Sequence, residues 1–182
     1  MLADHFDDVI TVDPHLHRID RLEQAIPIKR ALSLSATQLI GAYIAKNYEK
    51  PVLLGPDSES EQWVAQVAAK TNLDYAIAHK VRHGDREVDI LLPDFDFRQR
   101  QVIIIDDMIS SGGTAIEICR LLQSHKVTVV DIIITHILCS AEDEKKIHAA
   151  GIRNIISTDS IAHHTNKIEL SSLLATAVKG IA

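Results

Sequence analysis

Short β-branched runs alternate with helical segments along this chain, and that alternation constrains the fold more than any other feature. The strand-like runs are Val9–Val12, Pro51–Gly55, Leu73–His79, Gln101–Ile105, Val127–Ile134 and Asn154–Ile156. The segments with helical periodicity are Ser33–Tyr48, Glu59–Thr71, Ser111–Ser124, Ala141–Ala150 and Ser171–Val178. Strands separated by helices favour β-α-β crossovers in one sheet. We therefore predict an α/β fold with a mainly parallel twisted sheet and helices on both faces.

Length and charge exclude several classes of protein. A chain of 182 residues with no Pro/Gly/Ser-rich linker predicts one domain over residues 1–182. A formal net charge of −6 argues against general nucleic-acid binding. No apolar run approaches the roughly 20 residues of a membrane helix, and the acidic N-terminus has no signal core. With 2 cysteines, a disulfide framework is excluded, so we expect a cytoplasmic protein. From the charge and the missing apolar run, we expect no nucleic-acid or membrane partner.

The strongest motif follows Gln101–Ile105 directly. It consists of Asp106, Asp107, Ser110, Ser111, Gly112, Gly113 and Thr114, and a helix comes next. Glycines and hydroxyls let a backbone close on an anion, and a helix N-terminus adds N–H groups and the positive end of its dipole. Paired carboxylates suit ribose hydroxyls, or Mg²⁺ acting through water. The motif predicts a site for a phosphorylated sugar, whereas Ser-Ser-Gly-Gly alone would fit a capped turn equally well.

This motif resembles the ribose-phosphate loop of type I phosphoribosyltransferases. Four further segments narrow the resemblance to the ribose-phosphate pyrophosphokinase family: Val9–His15, Gly55–Asp57, Leu73–Arg82 and Val129–Ser140. Their order and spacing, rather than any single segment, make the resemblance specific, and it covers essentially the whole chain. It corresponds to the C-terminal half of the family chain. We therefore expect the N-terminal domain, with most of the ATP contacts, to be absent.

The resemblance implies an activity and a set of roles. The family transfers a diphosphoryl group from ATP to the C1 hydroxyl of ribose 5-phosphate, giving phosphoribosyl diphosphate. The positions carried over are Lys80 and Arg82 as catalytic residues, His15 and Asp57 at a Mg²⁺ site, and Asp106, Asp107 and Ser110–Thr114 as sugar-phosphate ligands. In an extended segment, Lys80 and Arg82 would point the same way, and Gly84 would let the loop close. The polar composition of Lys80–Arg86 predicts a loop, and Glu87–Leu92 is expected to form one arm of a hairpin with it. The resemblance also implies a homo-oligomer.

Two loops depart from the family pattern. Ser58–Glu61 stands where the family has glycines, and Ser110 replaces an acid. Glutamates there would repel a diphosphate at close range. A non-catalytic, regulatory paralogue and a stand-alone phosphoribosyltransferase therefore remain alternatives. For this chain alone we expect weak or no synthetase activity.

Several other residues receive structural interpretations. We expect Trp63 to pack a helix on the sheet and Cys119 to be a small buried hydrophobic residue. His136 is expected to be a satisfied histidine near the end of a buried strand. The pair His163–His164 resembles a small metal-binding tract, but we expect it to be a solvated loop before Ser171.

Overall fold

The computed structural model describes residues 2–16, 19, 21–83 and 87–181, without the side chains of residues 82, 83, 87 and 88. The strands are β1 (Asp8–Val12), β2 (Arg30–Leu34), β3 (Val52–Gly55), β4 (Tyr75–Ile77), β5 (His79–His83), β6 (Glu87–Leu91), β7 (Val102–Ile109), β8 (Val130–Ile137), β9 (Ile152–Thr158) and β10 (Asn166–Ile168). The helices are α1 (Leu22–Ala25), α2 (Thr37–Asn47), α3 (Glu61–Thr71), α4 (Gly113–Ser124), α5 (Ala141–Ala149) and α6 (Ser171–Ile181). A 3₁₀ turn, Leu2–Asp4, precedes β1.

The central sheet has six strands in the order β10-β9-β8-β7-β3-β4. All of its neighbouring pairs are parallel. Two small units stand beside it: a parallel pair, β1-β2, and an antiparallel hairpin, β5-β6. The mainly parallel α/β sheet predicted from the sequence is therefore confirmed. Among the described helices, none has the length and apolar character needed to cross a bilayer.

Alternate residues of the central strands build two separate cores. On β7, Ile104 belongs to a cluster with Ile118 of α4 and Ile147 of α5. Its neighbours Ile103 and Ile105 belong to the opposite cluster, which includes residues of α2 and α3. Burial of each such side chain contributes about 1.5–3 kcal/mol of hydrophobic stabilisation. Helices thus cover both faces, as predicted.

The strand β7 is longer than the sequence interpretation of Gln101–Ile105. It runs to Ile109 because β8 continues beside it, with Met108 paired to His136. Asp106 and Asp107 therefore lie inside a strand rather than in the loop after it. Since successive strand side chains point to opposite faces, the two carboxylates diverge.

Two other boundaries needed correction. The helix predicted from Ser33 begins at Thr37, because residues 30–34 pair with β1 as strand β2. The segment Lys80–Arg86, expected to be a loop, begins instead inside β5. That strand pairs with β6, so the hairpin arm expected at Glu87–Leu92 is confirmed, although β6 ends at Leu91.

Candidate functional site

The carboxyl ends of several parallel strands bring the candidate residues together. Asp57 follows β3, His15 follows β1, and Asp106 lies near the end of β7. Lys80 reaches the same place from β5. In open α/β sheets this edge is where ligands bind. The fold therefore gathers residues that are up to 92 positions apart in the sequence, as with His15 and Asp107.

The turn after β3 fixes the position of Asp57. Its Oδ1 accepts hydrogen bonds from the backbone N–H groups of Glu59, at 3.1 Å, and Ser60, at 3.2 Å. The Ser60 hydroxyl donates to the Asp57 carbonyl at 2.6 Å. Gly55 is required for this tight turn, because a Cβ there would lie 2.5 Å from Ser60 Oγ. The second Asp57 oxygen, Oδ2, is thereby left to face Lys80.

Lys80 and Asp57 form an ion pair at 2.5 Å between Nζ and Oδ2. Their side chains are 29% and 19% exposed, so solvent still reaches the pair. An incoming anion can therefore compete with Asp57 for the ammonium group. Only the backbone of Arg82 is described, in β5 two residues after Lys80. The common direction of the two cations remains a prediction, and Gly84 lies outside the described residues.

Asp106 and Asp107 have different environments although they are adjacent. Asp107 is 3% exposed, and its Oδ2 lies 2.7 Å from His15 Nδ1. This hydrogen bond raises the pKa of His15. Burial, followed by the charges of Asp107 and Asp57, raises the pKa of Asp106 to about 7. Without a bound metal ion, both the protonated and the ionised form of Asp106 are therefore populated near neutral pH.

The predicted phosphate loop lines a cavity of about 260 Å³, together with Asp106 and Pro56. Gly112 has a φ of +74°, and a Cβ at this position would lie 2.5 Å from Ile147 Cδ1. Helix α4 begins at Gly113, so its first N–H groups have no intrahelical acceptors. From behind, Cys139 Sγ approaches the Ser110 carbonyl at 2.7 Å. The loop has the backbone shape and the helix terminus of an anion cradle.

The main contribution that sequence reasoning missed is that of Asp13. This buried carboxylate accepts hydrogen bonds from Trp63 Nε1 at 3.0 Å, Ala36 N at 2.9 Å and Thr135 Oγ1 at 3.0 Å. It ties the end of β1 to α2, α3 and β8, and so fixes the segment that carries His15. An aspartate between a β-branched run and Pro14 was the available signal. Trp63 therefore does more than pack.

His136 is satisfied, as expected, because its Nε2 lies 3.0 Å from the Val12 carbonyl and its Nδ1 lies 2.9 Å from Ser160 Oγ. Cys119 is buried, which was also predicted. His136 thus contacts the end of β1, whereas Cys119 belongs to the hydrophobic core under α4.

The loop Ser58–Glu61, which departs from the family pattern, brings acidic groups next to the site. Glu59 Oε2 lies 4.0 Å from His15 Nε2. Glu59 and Glu61 line a cleft of about 920 Å³, together with His15 and Trp63. Negative charge therefore borders the side of the site where His15 lies.

Several known proteins are similar to this chain in sequence. The family model described as "Phosphoribosyl transferase domain" matches residues 19–168. The ribose-phosphate pyrophosphokinase of Methanopyrus kandleri is 30% identical over 178 residues, covering 96% of this chain and 60% of that protein. The enzyme of the same name from Methanosarcina mazei is 32% identical over 151 residues, covering 82% of this chain and 51% of its own.

A solved structure supports the fold. The phosphoribosylpyrophosphate synthetase of Mycobacterium smegmatis superposes with a TM-score of 0.79 at 24% identity, covering 99% of this chain and 62% of that one. The resemblance to ribose-phosphate pyrophosphokinases is thus confirmed, although the chain spans only 51% to 60% of the two curated relatives' lengths. Since the family model covers most of the sequence, the chain belongs to the phosphoribosyl transferase domain family.

Proposed function

We propose that the chain supplies the ribose 5-phosphate and diphosphate part of a ribose-phosphate pyrophosphokinase site. The proposed reaction transfers a diphosphoryl group from ATP to the C1 hydroxyl of ribose 5-phosphate. One observation carries the proposal: the Lys80–Asp57 pair and Asp106 meet the Ser110–Thr114 loop at one sheet edge. The similarity to the ribose-phosphate pyrophosphokinases described above supports the choice of reaction.

The sugar phosphate is assigned to the 260 Å³ cavity. Its 5-phosphate would accept hydrogen bonds from the Ser110–Thr114 backbone and hydroxyls, at the positive end of α4. Asp106 lines the same cavity and would accept from ribose hydroxyls. Asp107 is held on His15, so its role toward the sugar is to orient the end of β7 rather than to share the hydroxyls equally.

The diphosphoryl group is assigned to the neighbourhood of Lys80. Its ammonium group would exchange Asp57 for phosphoryl oxygens and stabilise the charge that develops during transfer. Arg82 is proposed as the second cation, because a guanidinium can bind two oxygens at once. Together they would place positive charge on the reacting phosphoryl oxygens while the loop orients the acceptor.

The carboxylates fit a magnesium ion. Asp57 and Asp106 offer oxygen ligands, which Mg²⁺ prefers; burial raises the pKa of Asp106, and repulsion by Asp107 and Asp57 adds to this effect. When bound, Mg²⁺ would neutralise phosphoryl oxygens and relieve that repulsion. His15 is proposed to border this site through Nε2, because its Nδ1 is engaged by Asp107.

A second candidate function is a non-catalytic paralogue that binds a ligand of the synthetase. The position of Glu59 beside His15 favours it, because carboxylates near the diphosphate region weaken binding of that group. The two candidates share the sugar-phosphate cradle and differ in the affinity for the diphosphate.

Isothermal titration with ribose 5-phosphate, phosphoribosyl diphosphate and ATP, with and without Mg²⁺, tests the proposal. Both sugar phosphates should bind, and Mg²⁺ should strengthen the binding of phosphoribosyl diphosphate. Lys80→Ala should weaken the affinity for phosphoribosyl diphosphate at least about tenfold, as expected for one lost charge-assisted contact. Its affinity for ribose 5-phosphate should stay within about threefold of wild type. Lys46→Ala, at an exposed lysine of α2, is the matched control.

The outcomes separate the candidates. Binding of ribose 5-phosphate without phosphoribosyl diphosphate would favour the non-catalytic paralogue. Binding of neither sugar phosphate would contradict both candidates.

A further inference from the structure

A cluster of possible metal ligands lies outside the residues assigned above. Glu144 belongs to α5, and His163 and His164 belong to the turn between β9 and β10. His163 Nε2 lies 3.3 Å from Glu144 Oε1, and His164 Nε2 lies 3.0 Å from Glu144 Oε2. One ligand atom from each residue lies within 4.8 Å of the others. The sequence expectation of a solvated loop is wrong for His163, because its side chain is only 17% exposed.

The donor set selects the chemical class of ion. Two imidazoles and one carboxylate suit Zn²⁺ and related transition-metal ions, whereas Mg²⁺ prefers oxygen ligands alone. Ligands of a tetrahedral zinc ion at ordinary bond lengths lie about 3.3 Å from one another. The two nitrogen-to-oxygen distances of 3.3 and 3.0 Å are close to that spacing, one to each carboxylate oxygen of Glu144. The cluster therefore has the ligand types of a zinc site, with each imidazole nitrogen beside one oxygen of the carboxylate.

The surroundings hold the first imidazole in place. His163 Nδ1 lies 2.9 Å from Thr165 Oγ1 and accepts a longer hydrogen bond, at 3.4 Å, from the Thr165 backbone N–H. Thr165 Oγ1 in turn lies 2.8 Å from Ser157 Oγ. Ligation through Nε2 requires the proton on Nδ1, which would then donate to Thr165 Oγ1 in place of the longer contact with the amide. A second partner that fixes the tautomer and ring orientation is the usual support of a histidine ligand.

The carboxylate is held as firmly as the ring. Glu144 is 7% exposed, and its helix is anchored by a capping box between Ser140 and Asp143. His164, by contrast, is 71% exposed in its side chain. An ion could therefore enter from the side of His164 and keep water as a fourth ligand.

We propose that Glu144, His163 and His164 bind one transition-metal dication, with Zn²⁺ as the best match. The two imidazole centroids are 4.4 Å apart. On one tetrahedral ion they would be about 5 Å apart, so binding requires only a small opening at the exposed His164 ring. The ion ties α5 to the turn before β10, two segments that are otherwise distant in sequence. It shares no residue with the proposed Mg²⁺ site at Asp57 and Asp106.

The test uses the untagged full chain after removal of metal ions. Titration with Zn²⁺ should reveal a binding event with a Kd in the micromolar range or below, and Mg²⁺ should not compete for it at millimolar concentration. Two variants remove single ligands: Glu144→Gln, which keeps the shape of the buried side chain, and His164→Ala at the exposed position. Each should weaken that event by at least about tenfold. His125→Ala, at an exposed histidine after α4, should leave it unchanged.

A spectroscopic measurement keeps the test independent of folding. Co²⁺ bound to two imidazoles, one carboxylate and water should give the strong visible bands of a tetrahedral ion, and added Zn²⁺ should remove them. Both variants should lack these bands while retaining the wild-type circular dichroism. Equal Zn²⁺ affinity in wild type and both folded variants, or an absence of tetrahedral Co²⁺ bands, would overturn the proposal.

Discussion

Replacement of Asp106 with asparagine should stabilise the metal-free protein, and increasingly so as the pH rises. Burial and the nearby carboxylates raise the pKa of Asp106 from 3.8 to about 7. The fold therefore favours the protonated carboxyl group, and this favourable term is complete below about pH 4 and lost as the pH rises through about 7. A pKa difference of about three corresponds to about 4 kcal/mol in the free energy of unfolding.

The magnitude between two convenient pH values follows from the same relation. At pH 5 this carboxyl group is already ionised in the unfolded chain but still protonated in the folded one. Part of the favourable contribution to the free energy of unfolding has therefore already been lost. Between pH 5 and pH 8 the wild type should lose a further 2–3 kcal/mol, roughly, through this group. For a chain of this size, that equals about 5–10 °C in the melting temperature.

The assay is thermal or urea unfolding of wild type and Asp106→Asn at pH 5 and pH 8, with chelator present. The stability advantage of the variant should be about 2–3 kcal/mol larger at pH 8 than at pH 5. Asp94→Asn, at an exposed aspartate, should show no such change. A difference between Asp106→Asn and wild type that is equal at both pH values would refute the reasoning about this carboxyl group.

Three further predictions follow from the same geometry. Gly112→Ala should lower the free energy of unfolding by about 2–4 kcal/mol and weaken the binding of ribose 5-phosphate, because of the positive φ at this position and the contact with Ile147. Gly113→Ala should change the free energy of unfolding by less than about 0.5 kcal/mol. Urea unfolding measures the stability and calorimetry the binding. Asp13→Ala should lower the free energy of unfolding by about 3–5 kcal/mol, because it leaves buried hydrogen-bond donors without an acceptor. Trp63→Phe, which removes one of the three hydrogen bonds to Asp13, should lower it by about 1 kcal/mol. Similar losses for the two variants in urea unfolding would contradict this. Mg²⁺ affinity measured by calorimetry should rise about tenfold from pH 6 to pH 8 in wild type, because ligation needs the ionised Asp106, and this rise should vanish in Asp106→Asn.

The fold was largely predictable because local patterns and global topology agree. The run Gln101–Ile105 is apolar on both faces, as a central parallel strand must be, and the structure places it between β3 and β8. Its length was not predictable, because pairing of Met108 with His136 depends on how far β8 extends. The same reason explains the missed strand β2, whose partner β1 lies about 20 residues earlier in the chain.

The candidate site shows the same division. The glycine and hydroxyl pattern at Ser110–Thr114 predicted a tight turn into a helix N-terminus, because a positive φ at Gly112 and a helix start both leave local signals. The contacts of Asp13 with Trp63 and Thr135 span 50 and 122 positions, so its local setting before Pro14 does not identify its partners. The approach of His163 to Glu144 also depends on the packing of α5 beside the β9–β10 turn, so the sequence offered only the histidine pair.

The most direct test of the central claim is an NMR titration of the isotopically labelled chain with ribose 5-phosphate. If the phosphate binds the cradle, the backbone amides of Ser110–Thr114 should shift saturably, together with the amide of Asp106. Amides near the exposed Lys46, at the end of α2, should stay unchanged. Saturable shifts confined to other parts of the chain, or no shifts at millimolar ligand, would contradict the assignment of this loop as the sugar-phosphate site.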